Sequence, residues 1–303
     1  MHMPWLSSIL LAASCSAALV PRDAAQAEQF RTLIGHDLPT VESFARIPLP
    51  EVRVMTAEEI VDWGGAATDA PPGNLTVERR DILGGVDDRV KKLDTGYPWS
   101  AMRRITILAP GRTTWCSGSL VGPRHLLTAR HCILDGAAFV FSPAYASGDR
   151  LRTTYATHVL HLPGKEKQPT GWCDFSEDWA ILRLNDDLGY GYLGYKLVED
   201  AMSGADLDWW TYGYPQDRDG GQVPYAQNRF KIKKVGTCNG DPATPLDSTA
   251  DAFGGQSGSP VWIPESGGRY QYGVLVAITA QSTLISNGPA LLNGIIATRR
   301  DWP

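Results

Sequence analysis

From about residue 97 onward, apolar and polar positions alternate in short runs separated by turn residues, the period-2 pattern of half-buried strands. Arg104 to Leu108, Ala137 to Phe141, Trp179 to Leu184, Trp209 to Tyr214 and Tyr272 to Ile278 are runs of this kind. No long amphipathic pattern competes with them and no internal repeat is visible. The pattern predicts an all-β protein, with room for two β-barrels of about 100 residues each.

The beginning of the chain reads differently. Its first twenty residues carry no Asp, Glu, Lys or Arg, and the apolar run Trp5 to Val20 ends in small residues, the pattern of a signal peptide over residues 1–20. The run is short for a bilayer span, so export to the extracellular space is expected rather than membrane anchoring. Residues 21–80 lack strand-like alternation, contain Pro39, Pro48, Pro50, Pro71 and Pro72, and offer one short helix over Thr56 to Trp63. This stretch reads as a propeptide ending in Glu78-Arg79-Arg80, a dibasic pair of the kind kexin-like enzymes cut, with the mature chain starting at Asp81. The sequon Asn74-Leu75-Thr76 would leave with it. Residues 81–195 and 196–303 are then assigned to the N-terminal and C-terminal barrels.

Charge narrows the class of partner. Of the net charge of −5, the segment 21–80 accounts for −4, holding 6 basic against 10 acidic side chains, so the remainder is near neutral. Neither nucleic-acid binding nor a polybasic membrane surface is indicated. Of the five cysteines, Cys15 lies in the signal peptide; Cys116, Cys132, Cys173 and Cys238 remain. An even count in an exported chain suggests two disulfides, for which three connectivities exist.

Three motifs occur in order: Leu127-Thr128-Ala129-Arg130-His131-Cys132, Asp178-Trp179-Ala180-Ile181-Leu182, and Gly254-Gly255-Gln256-Ser257-Gly258-Ser259-Pro260. They suit acyl transfer. A serine hydroxyl is a poor nucleophile at neutral pH and needs a neutral imidazole to take its proton. The imidazole in turn needs a buried carboxylate on its other nitrogen, to fix the tautomer and stabilise the imidazolium. Asp178 heads an apolar strand, whereas its rival Asp174 precedes Phe175-Ser176-Glu177 and reads as a loop carboxylate. His125 is the neighbour that competes with His131. His158 and His161 have metal-like spacing but lack a suitable third ligand, so no metal and no cofactor are expected.

Together these segments resemble the His, Asp and Ser segments of the chymotrypsin-like serine proteases, over about residues 82–300. The resemblance implies two six-stranded antiparallel β-barrels with the active site in the cleft between them. It makes His131 the general base, Asp178 its orienter and Ser257 the nucleophile, and it puts the backbone N–H groups of Gly255 and Ser257 in the oxyanion hole. It also implies a Cys116–Cys132 disulfide behind the histidine, and with it a Cys173–Cys238 pair. The sequence Gly258-Ser259-Pro260, Tyr212 to Asp217 and Ile82 to Arg89 are most similar to the glutamyl endopeptidase branch.

Departures from that branch bear on specificity. Gln256 stands where trypsin-like zymogens have the aspartate that captures a freed N-terminal amine, so activation by that ion pair is not expected. Ile278 aligns with the histidine, and Ala252 with the threonine, that glutamyl endopeptidases use; with Thr279 they are the expected substrate-binding residues. Asp251, six residues before Ser257, matches the specificity aspartate of trypsin-like enzymes and suggests a basic preference, with Asp247 and Phe253 as competing features of the same wall. The expected function is a secreted, monomeric serine endopeptidase acting on proteins or peptides and bound in its precursor by its own propeptide. The alternatives are an inactive homologue serving as a binding protein and a serine esterase. The second would normally carry a Gly-x-Ser-x-Gly elbow and a different residue order.

Overall fold

A computed structural model describes residues 31–32, 35–38, 47–64, 86–163, 172–236, 238 and 246–303. The signal peptide, Asn74, the Arg79-Arg80 pair and Asp81 lie outside the described residues. Two short strands, β1 (Arg31–Thr32) and β2 (Gly35–Leu38), come first, followed by β3 (Glu51–Val54) and helix α1 (Ala57–Gly64). After β4 (Val90–Lys91) come β5 (Met102–Ala109), β6 (Arg112–Leu120), β7 (His125–Thr128), β8 (Ala138–Pro143), β9 (Thr154–His161) and β10 (Ala180–Leu184). These last six form a closed antiparallel barrel, because β10 pairs with both β7 and β9. Period-2 alternation points Ile105 and Ile107 of β5, and Phe139 and Phe141 of β8, into one core, where none is more than 1% exposed.

β11 (Gly194–Tyr195) leads to the second sheet: β12 (Trp210–Gly213), β13 (Tyr225–Asn228), β14 (Ile232–Lys234), β15 (Leu246–Ser248), β16 (Pro260–Glu265), β17 (Gly268–Ile278) and β18 (Thr283–Ser286). Their order is β14-β15-β18-β17-β16-β12-β13-β4. Of the two barrels expected, the first is closed. The second is a curled half-barrel whose path does not close among the described residues. β4 comes from the stretch assigned above to the first barrel, yet it pairs with β13 of the second sheet.

The five predicted strands coincide with β5, β8, β10, β12 and β17. The predicted short helix is α1. Its start is a capping box: Thr56 N–H donates to Glu59 Oε2 at 2.7 Å and Glu59 N–H to Thr56 Oγ1 at 3.2 Å. The chain also contains a helix that the pattern did not predict, α2 (Pro289–Asp301). Its buried face includes Asn293 and Gly294, which interrupt the apolar periodicity of Leu291 and Ile295. Pro289 in its first turn and Arg299 and Arg300 in its last were the available signals.

Residues 47–64 are built into the body. β3 adds in parallel to β9, α1 packs against α2, and Ile60 is fully buried in the core. A cut after Arg80 would sever a covalent link without removing these contacts.

Candidate active site

His131 sits in a single 3-10 turn, Arg130–Cys132, immediately after β7, and Cys132 is bonded to Cys116 on the neighbouring β6. The two cysteines are 16 apart in sequence, a loop worth about 3 kcal/mol in the chain-entropy account of disulfides. The second disulfide joins Cys173, just before Asp178, to Cys238. Asp178 immediately precedes Trp179 and β10, and β10 pairs with β7, so the two strands bring the carboxylate and the imidazole together.

The three side chains form one hydrogen-bonded line. His131 Nδ1–H donates to Asp178 Oδ2 at 2.7 Å, and His131 backbone N–H donates to Oδ1 at 2.9 Å. With its proton on Nδ1, the ring offers Nε2 as acceptor, and Ser257 Oγ lies 2.5 Å from it. Ser257 and Asp178 are fully buried and only the edge of His131 meets solvent. Burial alone would raise the Asp178 carboxyl, but attraction to His131 and the hydrogen bonds from it outweigh that and hold it below the usual carboxylate value. Asp174 is exposed in the 3-10 turn Trp172–Phe175.

The backbone on both sides of the nucleophile is held in an unusual conformation. Gly255 has φ +93° and Gly258 φ +80°, in the region that favours glycine. A side chain at Gly255 would overlap Tyr214 O and the Trp115 ring. Gln216 N–H donates to Gly254 O at 2.7 Å, and Ser117 Oγ donates to Gly255 O at 2.8 Å. A planar trans peptide points its N–H opposite to its C=O, so holding the Gly254 carbonyl fixes the direction of the Gly255 N–H. The N–H groups of Gly255 and Ser257 donate to no protein acceptor among the described residues. They are therefore available to an oxyanion.

Arg89, which ends the Ile82 to Arg89 segment, has a role that no motif in the sequence announces. Its buried guanidinium donates to Gln256 Oε1 at 2.8 Å and is held by Asp87 at 2.8 Å and Asp217 at 2.5 Å. Gln256 Oε1 also accepts from Phe253 N–H at 3.0 Å. Burial opposes charge on both groups. The mutual bonds nevertheless hold Asp87, which Arg218 also contacts, well below the ordinary carboxylate range and Arg89 above its own usual value. An internal cation thus bonds the side chain next to Ser257, where a zymogen would use a new N-terminus. Arg89 is a positioning residue for this loop. Arg89→Met is expected to lower kcat by roughly 10- to 100-fold with a smaller change in KM, with partial recovery in Arg89→Lys. Steady-state kinetics check this: lost thermal stability at unchanged kcat would reduce Arg89 to a fold support.

The expected substrate-binding residues are all buried. Ala252 and Ile278 lie in the second core, at 0% and 6% exposure. The Thr279 hydroxyl is committed to its own turn, donating to Ser282 O at 3.1 Å and accepting from Ser282 N–H at 3.0 Å. Asp251 is 1% exposed; its Oδ2 lies 3.4 Å from Asp88 N and 3.4 Å from Gln227 Nε2, and its backbone N–H donates to Gln227 Oε1. Its carboxylate already has partners. His125 bonds the last turn of α2 through Thr298 O and Trp302 O, and burial pushes its pKa down to about 4. His161 bonds Leu162 O, and the His158 ring packs at a tilt against Trp302.

Known proteins resemble this chain in sequence and in fold. The chain is 29% identical over 201 residues to the glutamyl endopeptidase of Bacillus licheniformis, covering 64% of this chain and 58% of that protein. It is 32% identical over 92 residues to inactive serine protease 35 of Macaca mulatta, covering 29% of this chain and 21% of that protein. Both matches span less than two thirds of the relative's own length. A solved glutamyl endopeptidase in complex with MPD superposes with a TM-score of 0.55 at 19% identity, over 72% of this chain and all of that one, which shows a shared fold. The family model described as Trypsin matches residues 88–292, more than half of the 303 residues, and on that match the chain belongs to the trypsin family of serine proteases.

Proposed function

We propose that the protein is a secreted serine endopeptidase, made as a precursor, that hydrolyses peptide bonds through an acyl-enzyme on Ser257. The observation that carries this is the unbroken hydrogen-bonded line from Asp178 through His131 to Ser257, beside two backbone N–H groups left free for an oxyanion. Ser257 Oγ attacks the substrate carbonyl carbon while His131 Nε2 takes its proton. Gly255 and Ser257 N–H groups receive the negative oxygen, and the imidazolium passes its proton to the leaving amine. A water then repeats the sequence on the ester and frees the acid. Two disulfides suit an oxidising compartment, and among the described residues no helix is long and apolar enough to cross a membrane. The precursor is cut after Arg80, releasing a chain that starts at Asp81.

The similarity to an inactive relative raises a second reading, a protein that binds peptides without cutting them. The intact line of three residues stands against it. A fluorophosphonate probe separates the readings: the expected result is labelling of the wild type and none of Ser257→Ala. An unlabelled wild type supports the binding role, and labelling without peptide hydrolysis supports an esterase.

A further inference from the structure

Residues 47–64 reach the body of the protein through two different sets of contacts. β10 pairs with one edge of β9 along residues 158–161, and β8 reaches only Thr154 and Tyr155 on that strand. The other edge of residues 158–161 is taken by β3, with Glu51 opposite His158, Val52 opposite Val159, Arg53 opposite Leu160 and Val54 opposite His161. Met55 N–H extends the ladder to His161 O at 3.2 Å. Among the described pairings of this sheet, that of β3 with β9 alone is parallel. Parallel neighbours share no hairpin, so β3 is laid on the barrel from a separate stretch of chain.

α1 makes the second set. Its capping box sets Thr56 as the N-cap, which makes Met55 and Ile60 the apolar pair flanking the first turn. Both pack into one buried cluster with Trp179, Leu291 and Ile295. Ala57 and Glu58 close one side of a cavity of about 310 Å³ that Trp179, Leu291, Cys173 and Cys238 also line. α1 therefore covers apolar surface beside the strand that follows Asp178, and its removal would open that surface and one edge of β9 to water. The nucleophile is elsewhere: Ser257 lies between β15 and β16, in the other sheet.

We propose that this edge of β9 and the facing side of α2 are a permanent docking surface for residues 47–64, so that maturation produces a two-chain enzyme in which the segment stays bound without a covalent link. The proposal rests on the precursor reading above. A dibasic-specific processing protease adds one water across the Arg80–Asp81 bond, leaving a carboxylate on Arg80 and an amine on Asp81. The cut ends the tether but breaks none of the contacts of β3 and α1. Retention then depends on those contacts alone, because the high effective concentration supplied by a covalent linker is gone. Main-chain bonds along β3 give grip, and Ile60, at 0% exposure, is the anchor. A helix of eight residues is marginal by itself in water, so α1 is held folded by the surface it docks on. The partner class is an extended strand running into a short amphipathic helix, supplied here by the chain itself.

The test uses full-length Ser257→Ala protein with a site-specific protease sequence inserted after Arg80, so that the cut is controlled and no further hydrolysis follows. Native mass spectrometry of the cut protein is expected to show a one-to-one complex of the two chains, which denaturant separates. Thr56→Ala, at an exposed position, removes one bond of the capping box and is expected to weaken the complex about three- to tenfold. Ile60→Asp is expected to weaken it by roughly 100-fold or more, and where that variant does not fold, the parent complex and Thr56→Ala decide. Separation of the parent chains in native buffer overturns the proposal, as does a complex that neither substitution weakens. Active wild-type enzyme is expected to carry a fragment containing residues 47–64. Active enzyme that begins at Asp81 and carries no such fragment overturns the docking proposal alone. Active enzyme still continuous between residues 64 and 86 overturns the precursor reading, and the controlled cut then judges the docking surface separately.

Discussion

Ser257→Ala and His131→Ala are each expected to lower kcat/KM on a peptide substrate by about 10⁴- to 10⁶-fold while leaving the protein folded. The size of the effect follows from the geometry. The Ser257 hydroxyl is 2.5 Å from Nε2 and fully buried, so its removal takes away the oxygen that His131 faces. Without the imidazole the hydroxyl keeps its proton at neutral pH, and the leaving amine has no donor. The two act as a unit, so the double variant is expected to lose no more than the worse single one. What remains is the oxyanion contribution of Gly255 and Ser257 N–H, which neither substitution removes. Circular dichroism and thermal melting establish that the fold persists, and retention of near wild-type turnover by either variant would overturn the assignment.

Ser257, His131 and Asp178 were legible in the sequence because each sits in a local motif whose neighbours are adjacent in the chain. The strands were legible because Ile105 with Ile107, and Phe139 with Phe141, keep a strict period of two. The features that escaped are those made by residues far apart. Arg89 and Gln256 are separated by 167 residues, and nothing beside either announces the pair. β1 and β2 are too short for a periodic pattern to register, and they form only because β17 and β6 offer edges to pair with. α2 was hidden because its buried face carries Asn293 and Gly294. A side chain at Gly294 would crowd Trp179 and Ile181, so the glycine is there for close approach to β10 and not to break the helix. Asp251 shows the opposite failure: its position suggested a free counter-charge for a basic substrate, whereas the fold surrounds it with donors from Asp88 and Gln227.

Asp178→Asn is expected to cost about 10⁴-fold in kcat at neutral pH, and Asp174→Asn less than about threefold. The carboxylate accepts two bonds from His131, one from the ring and one from the backbone N–H. An amide at the same place has one oxygen and one NH₂. If the oxygen keeps the backbone N–H, the NH₂ faces Nδ1 and forces the ring proton onto Nε2, where it blocks acceptance from Ser257. If the amide turns over, the backbone N–H loses its acceptor, and in either case the imidazolium loses its counter-charge in a fully buried site. The pH dependence carries the sign of the effect. The folded Asp178 carboxyl titrates below its ordinary value, so its charge and the stability it contributes are present above about pH 4 and fade only as pH falls through the folded value. Asp178→Asn should therefore remove most of the turnover at neutral pH. Asp174, exposed in its turn, should leave the profile of the parent enzyme unchanged. A severe Asp174→Asn defect beside a mild Asp178→Asn one would show that the other carboxylate orients His131.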